Sequence, residues 1–380
     1  MITKLHIQNF KSLSDISLSL KDLNVITGVN GMGKSTFIQT LLLLRQAYLP
    51  NGIGRGIPLK GILTGNLGGF NDVLFRNAQS DKIIFQMECF GNEYIWEFEK
   101  GEIEDMLIGK IPLMIDKNIS LFCDNKFQYI SAGRITPSSS FSKSGESLIY
   151  KQFGINGEYA IQYLFEKGTE EFALFSDENF IDQHDGKIKP LPLINQVNYW
   201  LKFISPNVSL DIRPKSSTEY ELRYQFVNGD KGFASYSAIN SAFGLTFALP
   251  IITAILASKP GDLLILENPE SDLHPKAQSI IGQLMARAAT AGVQIIVETH
   301  SDHILNGICV AINKRQLKYD HTKFYYFNKK DNELNTTKYE VEIKSNGRMD
   351  DRNLRELGIA GFFDQAHKDL ETILFKPPVG

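Results

Sequence analysis

The segment "GVNGMGKST", residues Gly28 to Thr36, carries the clearest pattern in the chain. It matches the spacing G-x-x-x-x-G-K-[ST] in the context that this spacing requires, because the apolar strand "LNVIT" precedes it and the helical stretch "FIQTLLLL" follows it. Glycines let backbone N–H groups turn inward, and the helix N-terminus adds a partial positive charge. The segment therefore predicts a phosphate-binding loop.

Within this loop, Lys34 is expected to reach the β- and γ-phosphates of a nucleotide, and the hydroxyl of Ser35 to bind Mg²⁺. A glycine-rich turn that fits the spacing by chance is the alternative, and the flanking strand and helix argue against it. The cofactors predicted are ATP and Mg²⁺. The nucleotide-binding residues predicted in the loop are Asn30, Gly31, Gly33, Lys34, Ser35 and Thr36.

The composition is that of a soluble protein able to bury a sizeable core. The chain has 380 residues, 43% hydrophobic and 22% charged, which predicts one large domain or two lobes. Its 40 Lys plus Arg against 43 Asp plus Glu give a net charge of −3. Because no global field attracts nucleic acid, any contact with DNA or RNA would need a local patch.

Cysteine usage and the N-terminus predict a cytoplasmic location. The cysteines Cys89, Cys123 and Cys309 are scattered, with no CxxC pair for zinc or redox chemistry. The opening "MITKLHIQNF" lacks the basic and apolar parts of a secretion signal. We predict no membrane span: residues 234–258 are uncharged and long enough, yet their polar first half and Pro250 favour a buried helix.

The order of elements predicts an α/β architecture. After residue 234, helices alternate with the strands "DLLILE" and "GVQIIVE", as in β-α-β units with a parallel sheet. The absence of a sustained heptad argues against a coiled-coil arm. We expect residues 1–50 and 234–345 to form one core, 51–233 a middle lobe, and 346–380 a C-terminal tail helix in which Phe362 and Phe363 are anchors.

Two further segments narrow the class of phosphate-binding protein. In "LLILENPESDLHP" an apolar strand ends at Glu267, and in "VQIIVETHS" the next strand leads to His300. ATPases of the ABC class have a Mg²⁺-directing acid at the first position and a histidine that senses the γ-phosphate at the second. A capping acid and a loop histidine are the alternative readings of these residues taken singly.

Together these segments resemble prokaryotic ABC-type ATPases related to RecF, the SMC proteins and the ATPase half of the OLD nucleases. The segments that carry the resemblance are "KLHIQNFKSL", the phosphate loop, "YISAGRITP", "NSAFGLTFALPII", "LLILENPESDLHPKAQ" and "QIIVETHSDHIL". They span nearly the whole chain. The tail "GIAGFFDQA" is similar to that of a subgroup often found in antiviral defence operons. The resemblance implies an ABC-type P-loop ATPase head with a mixed sheet and a middle-lobe insertion.

By this resemblance Glu267 is the Walker B acid, which binds the metal together with Ser35, and His300 is the switch histidine. Lys11 is expected to line the nucleotide pocket, unless it is a solvated lysine. The segment from Asn240 to Gly244 would hold the signature that contacts a second subunit's nucleotide. Its sequence is "NSAFG" rather than the usual serine-glycine-glycine form. The groups left to donate hydrogen bonds to phosphate are Ser241 and the N-terminus of the helix that it is expected to start.

The remaining polar residues have alternative interpretations. Arg134 reaches the nucleotide or a partner subunit, or is a surface arginine. His274 is expected to start the helix after it and to shape the dimer contact, the alternative being a metal ligand. Because no Cys or further His joins His300 and His303 at ligand spacing, no structural metal is predicted.

The residue after the Walker B acid departs from the family pattern. It is usually the glutamate that polarises the attacking water, and here it is Asn268, whose amide cannot accept a proton. Either Glu270 takes over as the base in a slow hydrolysis, or Asn268 merely orients the water.

The expected function is a dimerising ATPase that acts as a nucleotide-gated switch for a partner effector, such as a nuclease, in antiviral defence or DNA maintenance. The alternatives are an ATP-binding scaffold without turnover, a nuclease in its own right, and a transporter subunit. The acidic "MDDR" lacks the carboxylate spacing of a Toprim nuclease. The long middle insertion disfavours the transporter.

Overall fold

A computed structural model describes residues 1–48, 56–112, 116, 118–150, 152–172, 174–175, 181–184, 187–227, 232–330, 333–356 and 372–374. The strands are β1 Ile2–Phe10, β2 Leu13–Ser19, β3 Leu23–Gly28, β4 Ile57–Pro58, β5 Lys60–Gly61, β6 Gly65–Asn66, β7 Lys82–Cys89, β8 Asn92–Lys100, β9 Met106–Lys110, β10 Phe127–Ile130, β11 Phe141–Ser142, β12 Ile181–His184, β13 Lys187–Pro190, β14 Val208–Pro214, β15 Glu219–Val227, β16 Phe233–Ser237, β17 Leu263–Glu267, β18 Gln294–Glu298, β19 Thr322–Asn328, β20 Thr337–Ile343 and β21 Met349–Asp350. The helices are α1 Lys34–Ala47, α2 Phe70–Val73, α3 Gly145–Tyr150, α4 Ala160–Lys167, α5 Leu193–Ile204, α6 Phe243–Leu256, α7 Pro275–Thr290, α8 Asp302–Asn313 and α9 Arg352–Glu356.

The central sheet has seven strands, in the order β10-β17-β18-β3-β19-β20-β21. The first five are parallel, and β20 and β21 are antiparallel to their neighbours. Glu267 pairs with Glu298 across β17 and β18, and Glu298 pairs with Ile26 across β18 and β3. The carboxyl ends of these strands therefore share one edge of the sheet, where Gly28 leads into the loop before α1.

Both faces of the central sheet are buried, which explains why its strands are apolar throughout rather than alternating. Because successive side chains point to opposite faces, Leu264 and Leu266 belong to one core while Leu263 and Ile265 belong to the other. The first core includes α6, α7 and α8, and the second includes α1 and the neighbouring antiparallel sheet. The predicted α/β class is confirmed.

That second sheet contains strands from both sides of the predicted boundary between residues 50 and 51. Its order is β2-β1-β7-β8-β9-β4, so strands from residues 1–50 pair with strands from the predicted middle lobe, 51–233. Moreover β10, also from that lobe, is an edge strand of the central sheet. Pairings between strands distant in the chain leave no trace in local composition. The rest of that range includes β11, β14 and β15, in one sheet with β16, and α4 and α5, whose apolar faces join the core of α6.

The uncharged segment 234–258 is divided among β16, a 3-10 turn at Ala238–Asn240 and the buried helix α6. Across the described ranges, no helix combines the length and apolar character needed to cross a membrane. Of the predicted tail helix 346–380, the structure describes β21, α9 and residues 372–374. Phe362 and Phe363 lie outside the described residues.

Helices α7 and α8 pack in the same core against the central sheet, and their backbones approach closely. A Cβ at Gly307 would lie 2.1 Å from the Ser279 carbonyl oxygen, and one at Gly282 would lie 2.3 Å from that of Ile304. Only glycine permits this separation, since backbone atoms cannot retreat as a flexible side chain could.

We expect Gly307→Ala to lower the free energy of unfolding by about 2 kcal/mol, because the added methyl forces the two helices apart. Gly145→Ala is the matched control, since a Cβ there meets no atom within 4 Å. Denaturant midpoints measure both. Equal midpoints for Gly307→Ala and wild type would contradict this packing.

Candidate nucleotide-binding site

The phosphate loop has the backbone that its glycines allow. Gly28, Gly31 and Gly33 have φ values of 141°, 80° and 88°. A Cβ at Gly28 would lie 2.2 Å from the Phe327 carbonyl oxygen, so β19 also requires glycine there. Gly33 is the N-cap of α1 and supplies no side-chain cap. The first N–H groups of α1 thus face the loop as an anion-binding end.

Lys34 and Ser35 both contact one acid, Glu298. The Ser35 Oγ donates a hydrogen bond to Glu298 Oε1 at 3.1 Å, and the Lys34 Nζ lies 4.0 Å from the same oxygen. Lys34 Nζ also donates to the Val29 carbonyl at 3.0 Å. Burial lowers the pKa of Lys34, and the charges of Glu298 and Glu270 oppose that shift.

Glu298 is the site residue that sequence reasoning missed. It is 4% exposed, and its Oε2 is buried without a hydrogen-bond partner among the described residues. Burial, followed by the neighbouring charge of Glu267, raises the pKa of Glu298 to about 7, against the opposing effect of Lys34. A signal was present in the sequence: two apolar strands that each end in glutamate place two acids side by side when the strands pair in register.

Glu267 is held on the other side, by β10. The Tyr129 hydroxyl donates to Glu267 Oε2 at 3.0 Å, and the backbone of Ala132 also hydrogen-bonds to the carboxylate. Burial raises the pKa of Glu267 in spite of these bonds. The Ser35 hydroxyl, expected to share a metal with Glu267, donates in this structure to Glu298.

Arg134 is buried, which corrects its interpretation as a surface arginine. It is 4% exposed, and its guanidinium donates to the carbonyls of Glu267 at 2.8 Å and Asn268 at 2.7 Å. It also lies over the Phe247 ring, 5.4 Å from the centroid. Burial lowers its pKa to about 10. Arg134 therefore joins the end of β17 to α6.

The turn after β17 is held against the turn after β18. Asn268 has a φ of 43°, and its N–H donates to the Glu298 carbonyl at 2.9 Å. Glu270 accepts two hydrogen bonds of 2.7 Å, from the Thr299 hydroxyl and from the His300 N–H. Burial and the Lys34 charge lower the pKa of His300, against a hydrogen bond with the Gly28 backbone. The structure thus brings Glu270, His300 and the loop together.

The other predicted residues lie as follows. Asn30 and Gly31 are exposed in the loop, and Thr36 is half-buried in α1. Lys11 Nζ donates to Gln39 Oε1 on α1 at 2.9 Å. His274 is the N-cap of α7, as predicted. Within the described ranges, including the residues around His303, no group of three or more His, Cys, Asp or Glu could hold a metal ion.

Ser241 does not start α6, contrary to the expectation. The helix begins at Phe243 with Ala242 as its N-cap, because Ser241 ends the preceding 3-10 turn instead. Its Oγ is buried without a hydrogen-bond partner among the described residues.

The side chains around the loop fit a nucleotide with Mg²⁺. An uncapped helix end and Lys34 suit phosphate oxygens. The Ser35 hydroxyl and the Glu298 carboxylate suit Mg²⁺, which typically binds one or two carboxylates together with phosphate oxygens.

Two family models match parts of the chain. The model described as "AAA domain, putative AbiEii toxin, Type IV TA system" matches residues 152–306, the range that holds Glu267 and His300. The model described as "AAA ATPase domain" matches residues 1–88, the range that holds the phosphate loop. The search of curated proteins found no match.

Among solved structures, similarity extends to the heads of SMC proteins. "Crystal structure of the SmcHead bound to the C-winged helix domain of ScpA" matches with a TM-score of 0.52 and 13% identity, covering 90% of this chain and 98% of that one. The "SMC head domain from Thermotoga maritima" has a TM-score of 0.43 and 13% identity, covering 90% and 99%. An Smc head derived from Pyrococcus furiosus, bound to the C-terminal domain of ScpA, matches with a TM-score of 0.47 and 11% identity. The match covers 98% of this chain and 99% of that one. The first match defines the fold class: an SMC-head-like, ABC-type P-loop ATPase fold.

We expect Glu298→Gln to raise the free energy of unfolding of the nucleotide-free protein by about 2 kcal/mol at pH 8. The folded-state pKa of Glu298 is raised to about 7, so ionisation costs stability as the pH rises from about 5 through 7. Glutamine carries no such charge. The difference should therefore vanish below about pH 4.5, where the carboxyl is protonated in both the folded and the unfolded states.

Thermal unfolding between about pH 4 and pH 8 measures this effect. Glu88→Gln is the control, because Glu88 lies in a half-exposed ion pair with Lys4 and should change stability by less than about 0.5 kcal/mol. A Glu298→Gln protein less stable than wild type at pH 8 would refute the account of this buried charge.

Proposed function

We propose that the chain binds ATP with Mg²⁺ and hydrolyses it slowly. The observation that carries the proposal is the contact of Ser35 and Lys34, on the phosphate loop, with Glu298 at the end of β18. This contact brings groups that can donate hydrogen bonds to phosphate together with oxygens that can bind a metal, at one edge of the sheet. The AAA and SMC-head similarities support the same class of reaction.

Glu270 is the proposed base in this reaction. Its two hydrogen bonds hold the carboxylate against the turn of His300, and its charge acts on Lys34. A carboxylate so held can still accept a proton, because each oxygen has a second lone pair. Asn268 cannot do so, and its backbone contacts with Glu298 and Arg134 suit it to orienting a water molecule.

Nucleotide-gated dimerisation is the second part of the proposal. Exposed apolar side chains lie in and just before the signature segment Asn240 to Gly244, and a second copy would cover them: Phe233, Tyr236, Ile239 and Phe243. Ser241 belongs to the same surface in this proposal. The controlled partner is proposed to be an effector such as a nuclease, in antiviral defence or DNA maintenance. Support for that role is the sequence resemblance alone.

Two alternatives rest on specific residues. An ATP-binding scaffold without turnover is favoured by the amide of Asn268 directly after Glu267. A nuclease centred on "MDDR" is disfavoured, because the Asp350 carboxylate is paired with Arg352 at 2.6 Å and Lys344 at 3.0 Å. Metal-dependent DNA cleavage that Asp350→Ala abolishes would favour the nuclease.

We predict measurable ATP turnover by the wild-type chain. Glu270→Gln should reduce this turnover about a hundredfold, because the base is lost, and an ATP-bound dimer should accumulate in this variant.

Lys34→Ala should weaken ATP binding at least about tenfold, because it removes a charge-assisted phosphate contact. Glu267→Gln should impair turnover through the metal. Phosphate release measures turnover, and light scattering measures oligomeric state.

Lys4→Ala is the control for the lysine variant, since Lys4 lies on the antiparallel sheet in a half-exposed ion pair. If ATP drives dimerisation without any turnover, hydrolysis is refuted and the scaffold alternative stands. Turnover that survives in Glu270→Gln would instead refute Glu270 as the base.

A further inference from the structure

Two acids, the half-buried Glu267 and the buried Glu298, end adjacent strands of the central sheet. Glu267 and Glu298 are paired partners of β17 and β18, strands that lie about 4.8 Å apart. Side chains at paired positions of parallel strands point to the same face. Two carboxylates this close repel each other when both are ionised, and either protonation of one or a cation beside them relieves that repulsion.

The hydrogen bonds of these acids leave one oxygen for such a cation. Glu298 Oε1 accepts from Ser35, whereas Oε2 is buried with no hydrogen-bond partner among the described residues. Glu267 is oriented by Tyr129, and the Lys34 ammonium lies 4.0 Å from Oε1 of Glu298. An unsatisfied buried carboxylate oxygen is costly, and a bound metal ion would satisfy it.

We infer that Glu298 supplies a second protein carboxylate, beside Glu267, to the Mg²⁺ that accompanies ATP on Ser35. The inference rests on the proposed ATP binding. In this role Glu298 Oε2 would be a metal ligand, while Oε1 orients the Ser35 hydroxyl that donates to it.

The composition of the site makes metal and nucleotide binding interdependent. The described residues contain no group of three or more His, Cys, Asp or Glu that could hold a metal without help, so Mg²⁺ needs phosphate oxygens to complete its ligands. Conversely, ATP without Mg²⁺ brings its phosphates towards two carboxylates. Metal should therefore strengthen ATP binding more than it would with Glu267 alone.

The test is a titration with a fluorescent ATP analogue in Mg²⁺ and in EDTA, with wild type, Glu298→Gln and Glu298→Asp. The measured quantity is the ratio of the Kd in EDTA to the Kd in Mg²⁺. We expect Glu298→Gln to reduce this ratio at least about tenfold, with Mg²⁺-free affinity unchanged or improved because a like charge is gone. Glu298→Asp keeps the charge and should retain more of the ratio.

A second readout is the electron paramagnetic resonance spectrum of Mn²⁺ bound with ATP, which should change in Glu298→Gln because one protein ligand is lost. Circular dichroism confirms folding of each variant, and Glu88→Gln serves as the charge-matched control.

An unchanged ratio in Glu298→Gln would overturn the inference, although ATP binding itself would stand. If Glu298→Gln and Glu298→Asp reduced the Kd ratio equally, Glu298 would have a packing role, and the inference would also be overturned. Failure of the wild type to bind ATP in Mg²⁺ would refute the proposed function, and the inference with it.

Discussion

The hydrogen bond from Ser35 to Glu298 joins two parts of the chain that are 263 residues apart in sequence. Ser35 is the second residue of α1, at the end of the phosphate loop, and Glu298 ends β18. Their contact requires β3 and β18 to pair in register and to end at the same edge. Every other member of the site, including Glu267 and the turn at His300, is placed by that same alignment of parallel strands.

The site concentrates charge where the fold alone would place apolar side chains. Glu267 and Glu298 are largely buried, and burial raises the pKa of each above its ordinary range. Tyr129 and Arg134 hold this edge by bonding to the Glu267 carboxylate and to the carbonyls beyond it. Such an arrangement costs folding free energy, and proteins typically accept that cost at functional sites. Stability and ligand binding therefore place opposite demands on Glu298.

Local patterns in the sequence were sufficient for the parts of the site that depend on neighbours along the chain. The loop follows from glycine spacing between a strand and a helix, and Glu267 and His300 follow from their positions at strand ends. Glu298 and Arg134 were not placed, because their roles depend on which strands pair and on carbonyls more than a hundred residues away. For the same reason β10 was assigned to the middle lobe rather than to the central sheet.

Hydrogen exchange of backbone amides, measured with and without ATP and Mg²⁺, tests most directly the claim that the loop and the ends of β17 and β18 form one nucleotide site. The account predicts slower exchange at residues 29–36 and also at residues 268–270 and 299–301 when both ligands are present. Residues 92–100 of the antiparallel sheet provide an internal reference that should not change. Protection absent from the loop, or confined to segments away from this edge of the sheet, would contradict the account.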